Sequence, residues 1–185
     1  MDTERVTAYH EAGHAVAATV LGHPINSVTV VPGENDLGGM LPDPDDGQNL
    51  NTAFYLYRIS LISLAGALAE ICLKGTVNKS GVGITDMKSG TFVDSSDCDR
   101  AKKVANCIKR DHRMRKIRAF PVKEAERLIR NNWSAVEAVA GALMQHKTLT
   151  LTDVIRIIGY PKSRRAIQHA GIIVPDFIAQ QLGLK

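Results

Sequence analysis

Fifteen consecutive residues, ISLISLAGALAEICL (Ile59–Leu73), hold a single charge, Glu70. The run is shorter than the roughly 20 apolar residues that a bilayer requires, and a carboxylate interrupts it. It therefore reads as a helix buried in a protein core. The rest of the chain has to cover it, and 185 residues are enough to do so without staples. Glu70 adds a second constraint, because a lone carboxylate in an apolar interior is costly unless paired or bound to a cation. Hydrophobic residues make up 44% and charged residues 23%, ordinary values for a soluble globular chain. The net charge of +4 is too mild to argue for nucleic acid by itself. Three dispersed cysteines, Cys72, Cys98 and Cys107, form no CxxC pair and fit free thiols in a reducing compartment. The first residues, MDTERVTAYH, have no apolar run and do not resemble a signal peptide. These features lead to the expectation of a cytoplasmic chain with no membrane segment.

Around the apolar helix, Thr52 to Lys74 and closed by Gly75, the pattern predicts further elements. A first helix runs from Thr3 to Leu21 and is stopped by Gly22 and Pro24. INSVTVVPG is rich in β-branched residues and reads as a strand. LGGML is a candidate second strand, weakened by Gly38 and Gly39 or opened by them to another backbone. An acidic loop, DPDDG, follows. The segment 76–95 is a long loop, and a helix starts near Ser96, with Asp99 resembling a capping box. VKEAERLIRNNWSAVEAVAGALMQHKTLT reads as one helix or two, with Trp133 packing in the core. TLTDVIRIIGY reads as a last short helix with Thr152 or Asp153 near its start. The expected fold class is mainly α with a small β-sheet (α+β), a domain over 1–158 and a C-terminal tail over 159–185.

The first helix contains YHEAGHAV. Residues four apart lie on one helical face, so His10 and His14 can grip one cation. A stripe of Val6, His10, Ala17 and Leu21, with His14 beside it, turns both imidazoles inward. Glu11 lies about 100° round the helix. This is the H-E-x-x-H arrangement, in which two histidines bind zinc and the glutamate serves as general base. A catalytic zinc commonly has three protein ligands and one open position. Two acids qualify on geometry. Glu70 is the lone charge of the apolar helix. Asp97 shares the inward face of a helix carrying Ala101, Val104, Ala105 and Ile108.

AYHEAGHAVAATVLG, INSVTVVPG, LAGALAEICLKG and SSDCDRAKKVA together resemble the peptidase domain of FtsH-type zinc metalloproteases. The likeness extends over residues 3–158, since NWSAVEAVAGALMQHKTLTLTDVIRII is similar to that domain's last helices. Gly66, Ala69 and Glu70 match its G-x-x-A-E element. Ser95, Asp97 and Ala101 match its S-x-D-x-x-x-A element. The resemblance implies zinc held by His10, His14 and Asp97, with Glu70 orienting a metal-bound histidine or serving the structure. It also implies an endopeptidase acting on extended or unfolded polypeptide, with Glu11 as base. An edge strand at Leu37, Gly38, Gly39 and Met40 would receive the substrate. Two departures stand out. That family carries an AAA-plus ATPase module and usually transmembrane segments, whereas these residues contain no G-x-x-x-x-G-K-[ST] loop. The loop between Glu70 and Asp97 is longer than usual. The expectation is a stand-alone peptidase, with a separate ATPase or a homo-oligomer as partner.

Two other functions compete. One is a catalytically silent zinc-binding interaction module of the same fold, against which the intact Glu11 argues. The other is an anion or nucleic-acid binder using KRDHRMRKIR, residues 109–118, which carries six Lys/Arg. With so mild a net charge, a solvated surface segment is the preferred reading of that stretch.

Overall fold

The computed structural model describes residues 2–23, 25–33, 39–42, 53–75 and 121–158. The elements are α1 (Thr3–Val20), β1 (Ile25–Thr29), β2 (Gly39–Pro42), α2 (Ala53–Leu73), α3 (Val122–Asn131), α4 (Trp133–His146), β3 (Thr148–Thr150) and α5 (Leu151–Ile158). The fold is mainly α with a small antiparallel sheet, as the sequence predicts.

Helix α1 is the centre of the molecule. Its N-cap is Asp2, whose carboxylate accepts a hydrogen bond from the Glu4 amide at 3.2 Å. It ends in a Schellman motif. The His23 amide donates to the Ala18 carbonyl, the Gly22 amide donates to that of Thr19, and Gly22 takes φ +64°. Every residue from Glu11 to Val20 is buried. The inward stripe expected for this helix is thus too narrow a reading. EAGHAVAATV is mostly small and apolar, and its polar members Glu11, His14 and Thr19 are buried with the rest, as in a helix segment enclosed on every side. The cover comes from α2, α4, α5 and β1.

The α1–α2 contact is unusually close because its residues are small. An ideal Cβ built on Gly13 would lie 2.6 Å from the Ala65 carbonyl oxygen and 2.8 Å from the Ala69 Cβ. Around this contact α2 buries Leu61, Leu64, Ala65, Leu68 and Ala69 completely. The Gly22 carbonyl, at the end of α1, accepts from Arg58 Nη1 at 3.2 Å, and Arg58 Nη2 donates to His23 Nδ1 at 3.2 Å. Arg58 and His23 are both buried, so the polar end of α1 is closed from α2 rather than by water.

The 122–147 stretch is two helices. At Asn132 the side-chain Nδ2 donates to the Leu128 carbonyl at 2.8 Å, and the backbone leaves helical geometry there (φ −115°, ψ 22°). Trp133 is half-buried and stacks on Tyr9, with ring centroids 5.7 Å apart. Thr148–Thr150 corrects the reading of these residues as helix: they form β3, the third strand of a sheet ordered β2-β1-β3. Val28 sits opposite Met40 on one side and Leu149 on the other. The Thr29 and Thr148 hydroxyls meet at 2.8 Å. Lys147 makes the turn into β3 at φ +65°, and its carbonyl accepts from the Val30 amide. Thr150 and Asp153 then cap α5 reciprocally: the Thr150 amide donates to Asp153 Oδ2 at 3.0 Å and the Asp153 amide to Thr150 Oγ1 at 3.3 Å. Hydrogen bonds from Thr150 hold the Asp153 carboxyl below its ordinary range.

Cys72 is a free, half-buried thiol whose pKa is pushed up by burial. Among the described residues no helix is long and apolar enough to cross a membrane. The 76–95 loop, the helix expected near Ser96, the basic segment 109–118, Cys98, Cys107 and the 159–185 tail lie outside the described residues.

The Gly13 contact yields a stability prediction. Alanine gains about 1 kcal/mol of helix propensity over glycine. Here its Cβ meets backbone that cannot rotate away, and overpacking costs about 1–3 kcal/mol. Gly13→Ala should therefore lower the thermal midpoint, measured by circular dichroism, despite the better helix former.

Candidate metal centre

The site is built where two rows of residues face each other. Helix α1 contributes His10 and His14, one turn apart. Helix α2 contributes Ile62, Gly66 and Glu70, also spaced by four. His14 Nδ1 lies 2.7 Å from the Ile62 carbonyl oxygen. His10 Nδ1 lies 2.7 Å from Glu70 Oε1. A carbonyl only accepts, and so does an ionised carboxylate. Both Nδ1 atoms therefore carry a proton, and in the neutral rings both Nε2 atoms present lone pairs.

Those two Nε2 atoms are 3.0 Å apart, with the rings edge to face at 77°. Neutral rings would set two lone pairs against each other there, a repulsion that a metal ion or a proton between them relieves. Gly66 leaves the room for a metal ion. A Cβ there would stand 2.5 Å from His14 Nε2 and 2.8 Å from His10 Nε2, filling the space in front of both nitrogens. Locked tautomers, converging nitrogens and the missing side chain all fit a nitrogen-preferring cation such as zinc, whose histidine ligands commonly donate their other nitrogen to a carboxylate or a carbonyl.

Glu70 is placed behind His10, on its Nδ1 side. Its carboxylate is buried, with Oε1 to His10 and Oε2 receiving Lys74 Nζ at 3.2 Å. Glu11 is buried, at 6% exposure, on the turn that joins the two histidines. Asp97 lies outside the described residues, and among those described no third acid, histidine or cysteine completes a three-ligand group. Of the expected substrate edge, Leu37 and Gly38 lie outside the described residues. Gly39 and Met40 begin β2, which is an edge of the sheet among the described strands.

The family model of peptidase family M41 matches residues 1–93, a stretch that contains His10, Glu11, His14, Gly66 and Glu70. The chain belongs to peptidase family M41. An ATP-dependent zinc metalloprotease of Arabidopsis thaliana, FTSH 11, chloroplastic/mitochondrial, is 25% identical over 174 residues, covering 85% of this chain and 22% of its own length. The ATP-dependent zinc metalloprotease FtsH 4 of Sorangium cellulosum is 26% identical over 211 residues, covering 95% of this chain and 32% of its own length. The FtsH protein of Thermus thermophilus is 44% identical over 68 residues, 36% of this chain and 11% of its own length. The chain thus spans at most about a third of these relatives. Zinc and proteolysis are properties of the M41 relatives, and the FtsH-type resemblance of the sequence holds at family level.

Two contributions escape a reading of the sequence alone. The Ile62 carbonyl is a backbone atom with no sequence signature. Gly66 is visible within the G-x-x-A-E match, but its reason, room at the two Nε2 atoms, emerges only with both helices in place. The spacing 62, 66, 70 behind an HExxH helix is the signal that points to it. Gly66→Ala should leave the helical circular dichroism signal largely intact. It should weaken zinc binding, measured by chelator competition, by about 10- to 100-fold, as when groups around metal ligands are changed.

Proposed function

We propose that this M41 chain is a zinc-dependent endopeptidase that hydrolyses peptide bonds in extended or unfolded polypeptide. The observation that carries the reading is the pair of converging Nε2 atoms, 3.0 Å apart, with both Nδ1 atoms committed elsewhere. In this proposal His10, His14 and Asp97 hold the zinc. Asp97 is supported by its match to the family's S-x-D-x-x-x-A segment and by the position of Glu70 behind His10. Zinc, when bound, supplies Lewis acidity that polarises the scissile carbonyl and makes water more acidic.

The chain's own residues do the rest. Glu11 accepts a proton on its carboxylate from the attacking water and returns it to the leaving amine. Glu70 and the Ile62 carbonyl keep the imidazole rings aimed. The β2 edge at Gly39 and Met40 receives substrate as an added strand, with main-chain hydrogen bonds giving affinity without demanding a particular sequence. The curated relatives are named ATP-dependent, and the 185 residues contain no phosphate-binding loop. Unfolding of folded substrates is accordingly assigned to an ATPase module, joined to this chain or separate from it.

Glu11→Gln tests the reading. Zinc content should be unchanged, and cleavage of an unfolded polypeptide should fall by about 10²- to 10⁴-fold, the usual contribution of a positioned acid–base group. A zinc-loaded wild-type chain that cleaves no unfolded polypeptide, alone or with an FtsH-type ATPase, would leave the silent zinc module as the better description.

A further inference from the structure

The α2 row does not stop at Glu70. Its next member, Lys74, is the first residue beyond the helix, and its amide still donates to the Glu70 carbonyl at 2.9 Å. Gly75 then turns the chain away at φ +66°, with its amide on the Cys72 carbonyl. The lysine side chain is left to run back along the helix, and its Nζ reaches Glu70 Oε2 at 3.2 Å. A cation at a helix C-terminus is also favoured by the exposed carbonyls there.

We propose that Lys74 is a positioning residue of the metal centre, fixing the Glu70 carboxylate so that it accepts the hydrogen bond from His10 Nδ1. The inference rests on the zinc reading above. The torsion that orients a glutamate carboxylate is broad and two-fold, so one hydrogen bond sets its plane only loosely. Here the two oxygens have separate anchors: Oε1 holds His10 at 2.7 Å and Oε2 holds Lys74 at 3.2 Å. Glu70 is nearly enclosed, while the Lys74 side chain is 35% exposed. Among the described residues Lys74 is the one cationic side chain bonded to Glu70. On α3, Arg130 is engaged by Glu126 at 2.8 Å.

Two other roles make different predictions. A partly exposed i,i+4 ion pair contributes little to folding, so a purely structural lysine would leave metal binding alone. A lysine acting by charge alone would repel a cation, and its removal would tighten zinc binding. Positioning requires the opposite sign.

The experiment uses the full 185-residue chain and its Lys74→Met and Lys74→Arg variants. Zinc dissociation constants come from competition with a chromophoric chelator, and the His10 imidazole is followed by NMR in the metal-free protein. Lys74→Met should weaken zinc by about 3- to 10-fold, less than the 10- to 100-fold of a group touching a ligand directly. Its His10 Nδ1 proton should broaden by faster exchange with water, at an unchanged thermal midpoint. Lys74→Arg, which keeps a donor at the same place, should restore both. Unchanged or tighter zinc binding in Lys74→Met, with an unaltered His10 signal, overturns the role. Failure of the wild-type chain to bind zinc overturns the functional reading itself, and this inference with it.

Discussion

The distance between α1 and α2 governs everything else in this structure. It is set where Gly13 lies against the Ala65 carbonyl and the Ala69 methyl, a gap that would not admit one more carbon. Helices ordinarily pack about 8–10 Å apart, according to the side chains between them. Glycine and alanine take the small end of that range. Only then can an imidazole on one helix reach a main-chain carbonyl inside the other, as His14 does at 2.7 Å. A larger residue at position 13 would move the His14–Ile62 and His10–Glu70 hydrogen bonds apart together, because both cross the same interface. Packing and site chemistry are one constraint here. The alanines of EAGHAVAATV serve the fold by allowing close approach, and they serve the site by the same means.

The buried polar groups follow from that closeness. The apolar helix predicted from Ile59–Leu73 carries a carboxylate that needs a partner, and the partner is an imidazole on its first oxygen with an ammonium on its second. Glu70 thus answers the cost of its own burial without facing the Nε2 side of the histidines. At the other end of the same interface, Arg58 enters from α2 to close the Gly22 carbonyl and the His23 ring. Polar side chains thus cross the interface in both directions, Arg58 from α2 and the two histidines from α1. The interface is dry in its middle, where Gly13, Ala65 and Ala69 meet, and polar on both sides of it.

What the sequence made legible has local causes, and what it hid has distant ones. α1 and α2 were readable because a long apolar run and a four-residue histidine spacing are properties of a single segment. The FtsH-type resemblance could be read for the same reason, from short blocks of contiguous residues. β3 was not readable. Three residues, Thr148–Thr150, become a strand because β1 lies beside them, and β1 is about 120 positions earlier in the chain. Nothing in TLT distinguishes that outcome from the start of a helix, since a short strand draws its stability from cross-strand partners. The all-round burial of residues 11–20 in α1 escapes the sequence for a related reason. An alanine-rich surface has no strong periodicity, so a stripe drawn through its larger residues understates how much of it is covered. At the site, HEAGH announced two nitrogens but not which atom of each ring faced inward. That depended on a backbone carbonyl and on a carboxylate from α2.

The two histidines are held by unlike partners, and this decides where the centre can be tuned. His14 leans on a carbonyl within α2, which no side-chain substitution at position 62 removes while the helix persists. Its orientation is as rigid as the helix itself. His10 leans on a side chain with its own rotamers, whose second oxygen is steadied in turn by a residue beyond the helix end. Changes of sequence can therefore alter the donor strength and orientation of His10 one step at a time, and leave His14 as the fixed reference. In the proposed zinc site, one nitrogen is thus rigidly held and the other adjustable. The elements under the tightest physical limits are few: a glycine at the helix crossing, a glycine facing the nitrogens, and the row on α2 that meets the two histidines.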